Sequence, residues 1–132
     1  MPTTSTFLPT CASIDLAALA HNLTHFRGML RPGCEVMPVV KANAYGHGEV
    51  QTAKALLRQG VSRVAVFSID EGITLRQAGI SAPIVVLGPL FPEQLKELLA
   101  HQLTPVLSDV SLLPTLAQAV ASVPTPYPVH LK

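Results

Sequence analysis

The sequence predicts an α/β fold in which buried parallel strands alternate with amphipathic helices. Hydrophobic residues make up 48% of the 132 residues and charged residues only 13%, a composition typical of extensively buried strands and helix faces. Short apolar runs also recur at a regular interval, and the predicted strands end near residues 41, 67, 87, 107 and 131. This spacing fits a strand plus its crossover helix.

The first predicted helix begins after Asp15, a residue favoured as an N-cap. Apolar residues follow it at steps of three and four up to Leu30, and the pattern ends at Pro32 and Gly33. This periodicity predicts an amphipathic helix that precedes the first strand.

Strand and helix units follow this helix. Apolar runs predict strands at 36–40, 64–67, 84–87 and 105–107 and near 128–131, and helical patterns lie at about 48–59, 70–78, 92–101 and 109–121. Continuous apolar strands are typical of parallel sheets that are covered on both faces. Residues 1–11 are predicted to be an N-terminal tail, and residues 12–132 the strand and helix domain.

The residues that end the strands favour a barrel over a doubly wound sheet. The strand ends carry Lys41, Ser68, Gly88, Ser108 and Lys132, which would converge on one face of a (β/α) barrel, where active sites lie. A dinucleotide site is disfavoured, because the GHG stretch at 46–48 lacks a third glycine and no acidic residue ends the second strand. The predicted fold is therefore a partial (β/α)8 TIM barrel with about five parallel strands.

Charge, hydropathy and cysteine content exclude several classes of function. The net charge is +1 with scattered basic residues, which disfavours nucleic acid as a partner. The sequence shows no signal peptide and no run of roughly 18 apolar residues, so we predict a cytoplasmic protein with no membrane partner. Cys11 and Cys34 match no disulfide or zinc pattern, and no metal site is predicted.

Lys41 is the main candidate for chemistry, in the stretch PVVKANAYGHG from Pro38 to Gly48. One interpretation is a lysine that packs its stem on the sheet and exposes its ammonium group. The other is a desolvated, nucleophilic amine, favoured by the apolar strand, the small residues of the turn and the nearby Tyr45 hydroxyl. The residues alone leave both open. His47 is assigned no acid–base role, because a loop histidine is easily satisfied without chemistry.

The stretch VVKANAYGHG resembles the cofactor motif of the alanine racemase family. The resemblance extends through SIDEGITLRQAGISAPIVVLGP to the terminal VHLK and covers residues 12–132, with Asn43 where many relatives carry Asp. It implies that Lys41 forms the internal aldimine with pyridoxal 5'-phosphate and is one of two catalytic bases. It also implies that Tyr45 binds the phosphate and that Val39, Val85 and Leu87 line the barrel near the cofactor ring. Lys132 matches a family lysine that in some members is carbamylated and orients an arginine.

The same resemblance implies the activity and the partners. The expected reaction is the pyridoxal-phosphate-dependent interconversion of L- and D-alanine for peptidoglycan precursors, by a homodimer in the full-length enzyme. The family's remaining strands, second base and C-terminal domain are expected beyond Lys132, so the 132 residues alone are expected to be inactive. Three alternatives are a non-catalytic cofactor-binding module, a racemase of the same fold for serine or another amino acid, and a decarboxylase of the same fold, which fits AYGHG poorly.

Overall fold

The computed structural model describes residues 11–123 and 126–132, and it confirms an α/β fold with parallel strands. The predicted tail, apart from Cys11, lies outside the described residues. The helices are α1 (Leu16–Gly28), α2 (Lys41–Tyr45), α3 (Glu49–Arg58), α4 (Ile69–Gln77), α5 (Leu95–Ala100) and α6 (Leu113–Val120), with 3-10 turns at Pro92–Gln94 and Val110–Leu112. The strands are β1 (Val64–Val66), β2 (Ile84–Val86), β3 (Thr104–Leu107) and β4 (His130–Leu131).

The four strands form one parallel sheet in sequence order, β1-β2-β3-β4. The apolar run at 36–40 lies beside β1, but it forms only one bridge, between Val39 and Ala65. Ala65 N–H donates to the Pro38 carbonyl and Val40 N–H donates to the Ala65 carbonyl, each at 2.8 Å. The predicted first strand is thus reduced to a bridge, since Pro38 has no N–H with which to extend the pairing.

The two faces of the sheet are buried differently. Val64, Val66, Ile84 and Val86 belong to the hydrophobic core between the sheet and the helices. Ala65 and Val85 alternate with them and therefore point to the opposite face, where they are also almost fully buried. This second face corresponds to the interior of the predicted barrel.

Arg76 binds the loops at the amino ends of β2 and β3. Its guanidinium donates to the carbonyls of Ile80 and Ala82 at 2.7 Å each, and to those of His101 at 2.9 Å and Gln102 at 3.0 Å. Burial lowers the pKa of Arg76. One side chain therefore satisfies four carbonyls from two successive loops.

Tyr127 adds a second link at the same edge. Its hydroxyl donates to the carbonyls of Leu103 at 2.5 Å and Leu98 at 3.3 Å. Burial raises the pKa of Tyr127 to about 12, and the nearby charge of Arg76 only partly opposes this. At the amino edge of the sheet, the side chains of Arg76 and Tyr127 thus bind backbone carbonyls.

No helix in the described ranges is both long and apolar enough to cross a lipid bilayer.

Candidate functional site

The candidate site lies at the carboxyl edge of the sheet. Val39, Ala65 and Val85 form one row across the sheet through the bridge and the β1–β2 register. Phe67 and Leu87 continue this face just beyond β1 and β2. The chain turns at Val40, and the Lys41 amine lies 5.6 Å from the centroid of the Phe67 ring. The carboxyl edge of the sheet therefore carries a lysine, an aromatic ring and a leucine.

The segment that follows Lys41 is a left-handed helical turn. Ala42, Asn43 and Ala44 have φ between 51° and 54° and ψ between 44° and 51°, and Tyr45 has a φ of 54°. This conformation is unfavourable for residues with a Cβ by roughly 1–2 kcal/mol each. Such a turn persists only where surrounding contacts enforce it. The turn of small residues after Lys41 is thus a strained turn with positive φ angles.

Several hydrogen bonds hold the turn in place. Gly46 ends it with a φ of 88°, and its N–H donates to the carbonyls of Ala42 and Asn43 at 3.1 Å each. The Asn43 side-chain oxygen accepts from the Glu49 N–H at 3.0 Å and so begins α3. His47 Nδ1 lies 2.9 Å from the Ala44 carbonyl. The motif residues thus bind one another and the start of the next helix.

Lys41 is half-buried, and its amine lies between two aromatic rings. The Nζ atom is 5.6 Å from the centroid of the Phe67 ring and 5.9 Å from that of the Tyr45 ring. Both distances are within the range of cation–π attraction. The lysine therefore lies at the carboxyl edge with an aromatic ring near its amine from each of two neighbouring segments.

The Glu71 carboxylate accepts hydrogen bonds from the residue that follows Lys41 and from the two residues that follow β1. One oxygen accepts from the Ala42 N–H at 2.7 Å, and the other accepts from the N–H groups of Phe67 at 2.7 Å and Ser68 at 3.1 Å. Burial raises the pKa of Glu71, but these three hydrogen bonds and the charge of Lys41 lower it, and the net pKa lies below its ordinary value. Glu71 is therefore ionised at neutral pH.

The other predicted site residues are placed as follows. Tyr45 is 61% exposed, so its hydroxyl is open to a ligand, while Val39 and Leu87 are partly buried and Val85 is fully buried. Lys132 is exposed at the end of β4, with its N–H bound to the Leu107 carbonyl at 2.9 Å. In the strand order it lies at the opposite edge of the sheet from Lys41. The structure thus brings Lys41 and Tyr45 together and leaves Lys132 apart.

Phe67 and Glu71 were not predicted as site residues. A sequence signal for Glu71 existed, because Ser68 and Glu71 have the S-x-x-E spacing of a capping box, and that box is present at the start of α4. The spacing indicates the bond to Ser68 but not the bonds to Phe67 and to Ala42, which lies 29 residues away. Within residues 11–123 and 126–132, no group of three or more His, Cys, Asp or Glu side chains is placed to bind a metal.

Solved structures similar to this one include several amino-acid racemases. An alanine racemase from Clostridium difficile 630 in complex with cycloserine aligns over 96% of this chain and 34% of its own, with 32% identity and a TM-score of 0.88. An alanine racemase from Bartonella henselae with covalently bound pyridoxal phosphate aligns over 88% and 32%, with 25% identity and a TM-score of 0.78. A histidine racemase from Leuconostoc mesenteroides aligns over 86% and 30%, with 29% identity and a TM-score of 0.76.

Sequence comparison gives the same assignment. The alanine racemase of Carboxydothermus hydrogenoformans is 48% identical over 99 residues, which cover 75% of this chain and 27% of that relative. In alignments with other curated relatives, this chain spans about a third of the relative's length. The family model for the alanine racemase N-terminal domain matches residues 14–132. The chain therefore belongs to the alanine racemase family.

Proposed function

We propose that the protein, as a full-length enzyme of this family, interconverts L- and D-alanine with pyridoxal 5'-phosphate held on Lys41. The observation that carries this proposal is the position of the Lys41 amine at the carboxyl edge of the sheet, 5.6 Å from the Phe67 ring. In barrels of this class the active site lies at that edge. The covalently bound pyridoxal phosphate of the Bartonella henselae racemase supports the choice of cofactor.

The residues present fit a cofactor that carries an aldehyde and a phosphate. A half-buried primary amine is a suitable nucleophile for an aldehyde, and Lys41 forms no ion pair within 4.0 Å in the described part of the chain. The exposed hydroxyl of Tyr45 can donate to a phosphate oxygen, and Val39, Val85 and Leu87 supply apolar surface on the same face. Pyridoxal phosphate withdraws electrons from the substrate, which makes the Cα proton acidic.

Each of these residues has a separate task in the proposed reaction. The Lys41 amine holds the cofactor at rest and moves the Cα proton on one face of the substrate. Tyr45 orients the cofactor through its phosphate. The apolar side chains of Val39, Val85 and Leu87 exclude water from the reacting face. On the basis of the family resemblance, we propose that Lys132 is carbamylated and orients an arginine.

The cellular part of the proposal is the supply of D-alanine for peptidoglycan by a cytoplasmic homodimer. A second candidate is a racemase of the same fold with another substrate, favoured by the similarity to the histidine racemase of Leuconostoc mesenteroides. Comparing turnover of L-alanine, L-serine and L-histidine by the intact protein separates the two. Faster turnover of an amino acid other than alanine would replace the substrate assignment and leave the cofactor assignment standing.

The direct test of the cofactor site is chemical capture. The intact protein is incubated with pyridoxal phosphate, reduced with borohydride and digested, and the pyridoxyl group is expected on the Lys41 peptide. Lys54 is half-buried on α3 and Lys96 is exposed on α5, so they serve as internal controls for non-specific labelling. Lys41→Ala is expected to abolish the specific label, and Lys54→Ala to leave it unchanged. A label mainly on Lys54 or Lys96 would refute the assignment.

A further inference from the structure

The Glu71 carboxylate joins the segment that follows Lys41 to the segment that follows β1, beyond the bridge between Val39 and Ala65. Its first oxygen binds the N–H of Ala42, at the start of the left-handed turn, and its second binds the N–H of Phe67, just after β1. Both bonds are 2.7 Å long, in the short range of charge-assisted hydrogen bonds. Beyond the Val39–Ala65 bridge, where backbone pairing between the segments ends, this side chain holds the two segments together.

These two bonds act on the surroundings of Lys41. The Ala42 N–H belongs to the peptide unit that begins at the Lys41 carbonyl, so its hydrogen bond fixes the plane of that peptide and the direction in which the Lys41 side chain leaves the backbone. The Phe67 N–H bond fixes the residue whose ring lies 5.6 Å from the Lys41 amine. The same carboxylate thus orients both the lysine and the ring beside it.

Helix capping alone does not account for this arrangement. A capping box at the start of α4 needs the bond from Ser68 N–H to the Glu71 side chain and the bond from Glu71 N–H to the Ser68 hydroxyl. The bond to Ala42 contributes nothing to that box. It satisfies an N–H at the start of a strained turn instead, and the lowered pKa of Glu71 agrees with a carboxylate that stays ionised there.

We propose that Glu71 is a positioning residue that sets the reactivity of Lys41 by bridging the backbone of Ala42 and Phe67. The inference rests on the proposed cofactor role of Lys41. Glu71 acts through the backbone and contacts neither substrate nor cofactor. Its removal frees the Lys41–Ala42 peptide and the Phe67 ring to move apart while the rest of the sheet stays paired.

The test measures the initial rate at which pyridoxal phosphate is captured on Lys41 in the intact protein, relative to Lys54 and Lys96. In Glu71→Gln, one amide oxygen cannot accept from both segments and the amide NH2 faces an N–H donor. The relative Lys41 rate is expected to fall about tenfold, as loss of a hydrogen bond to a charged group predicts. Circular dichroism of the same sample establishes that the variant is folded.

Two further variants separate positioning from stability. Ser68→Ala removes the hydroxyl half of the capping box and leaves the Glu71 carboxylate in place, so it is expected to lower the melting temperature while keeping the Lys41 rate within twofold of wild type. Glu71→Asp keeps the charge but is one methylene shorter and cannot reach both segments. It is expected to slow capture on Lys41, and it provides the test if Glu71→Gln does not fold.

The outcomes distinguish this inference from the proposed function. If wild-type protein is not labelled on Lys41, the cofactor assignment itself fails. If wild type is labelled and either Glu71 variant captures cofactor at the wild-type rate, the bridge is dispensable and the inference is overturned. An equal loss in Ser68→Ala and Glu71→Gln would also overturn it, because the effect would then belong to the stability of α4.

Discussion

A Cβ atom on Gly88 would lie 2.5 Å from the backbone oxygen of Phe67. The Gly88 N–H donates to that same oxygen at 2.8 Å, and two carbons of the Phe67 ring would be 3.4 Å from the added atom. The chain just after β2 therefore lies so close to the chain just after β1 that only glycine fits at position 88. The hydrogen bond joins Gly88 to the backbone of the residue whose ring lies near the Lys41 amine.

Gly88→Ala is expected to push the Phe67 backbone away and to lower the free energy of unfolding by roughly 1–3 kcal/mol. Capture of cofactor on Lys41 should slow with it, because the Phe67 ring moves. The matched control is Gly28→Ala, at a helical position where an added Cβ meets nothing within 4 Å. Denaturant titration of both variants is the measurement, and equal stability of the two would contradict the clash.

Tyr45→Phe is expected to weaken retention of pyridoxal phosphate and to leave the fold intact. A hydrogen bond to a charged phosphate contributes about 1.5–3 kcal/mol, so the dissociation constant should rise about tenfold or more. Tyr127→Phe is the control, because that hydroxyl binds backbone carbonyls at the amino edge of the sheet. Equilibrium dialysis with the intact protein decides the matter, and unchanged affinity in Tyr45→Phe would leave Tyr45 only a packing role.

Arg76→Lys is expected to destabilise the fold by roughly 2–4 kcal/mol, because an ammonium group cannot replace the planar donors that reach four carbonyls in two loops. Arg58→Lys, at an exposed position in the last turn of α3, should change stability by less than about 0.5 kcal/mol. The measurement is the free energy of unfolding in urea. Similar small losses in both variants would show that the Arg76 bonds are dispensable.

The fold is expected to lose stability at alkaline pH because of Tyr127. Its pKa is raised from 10.0 to about 12, so the folded state favours the neutral phenol. The stabilisation that the neutral Tyr127 phenol gives the folded state is complete below a pH of about 10. It is lost as the pH rises through about 12, since the unfolded chain releases the proton first. Urea midpoints across that interval should fall more steeply in wild type than in Tyr127→Phe. Parallel pH profiles would contradict the assignment.

Residues 1–132 alone are expected to capture cofactor on Lys41 without racemising alanine. Inversion needs proton transfer on both faces of the substrate, and Lys41 serves one of them. Tyr127 cannot serve the other, because its hydroxyl binds the Leu103 carbonyl at the amino end of β3, opposite the Lys41 edge. An assay specific for D-alanine is the measurement. Turnover that disappears in Lys41→Ala would mean that these residues supply a second base.

Sequence patterns predicted the fold well where side-chain periodicity is strong. The helix predicted at about 48–59 spans Glu49–Arg58, and the helix predicted at about 70–78 spans Ile69–Gln77. The run at 36–40 was predicted less well, because its pairing depends on the missing N–H of Pro38 rather than on hydropathy. The domain boundary near residue 12 stays a prediction.

The candidate site was only partly predictable. Lys41 and Tyr45 were chosen from the motif, whereas the nearness of Phe67 to Lys41 depends on how the segment before Lys41 aligns with β1. The bond from Ala42 to Glu71 spans 29 residues and enforces a backbone conformation that alanine seldom adopts alone. Local propensity therefore could not predict the turn, because distant contacts create it.

The left-handed turn also limits which substitutions the motif can accept. Positions 42 to 45 all have positive φ, so a library that randomises them should be enriched in glycine, asparagine and aspartate and depleted of valine, isoleucine and threonine. At Ala44 the side chain is 95% buried, so that position should also reject large residues. The narrow range of small residues in KANAYG would thus be maintained by backbone geometry even where the side chains take no part in chemistry.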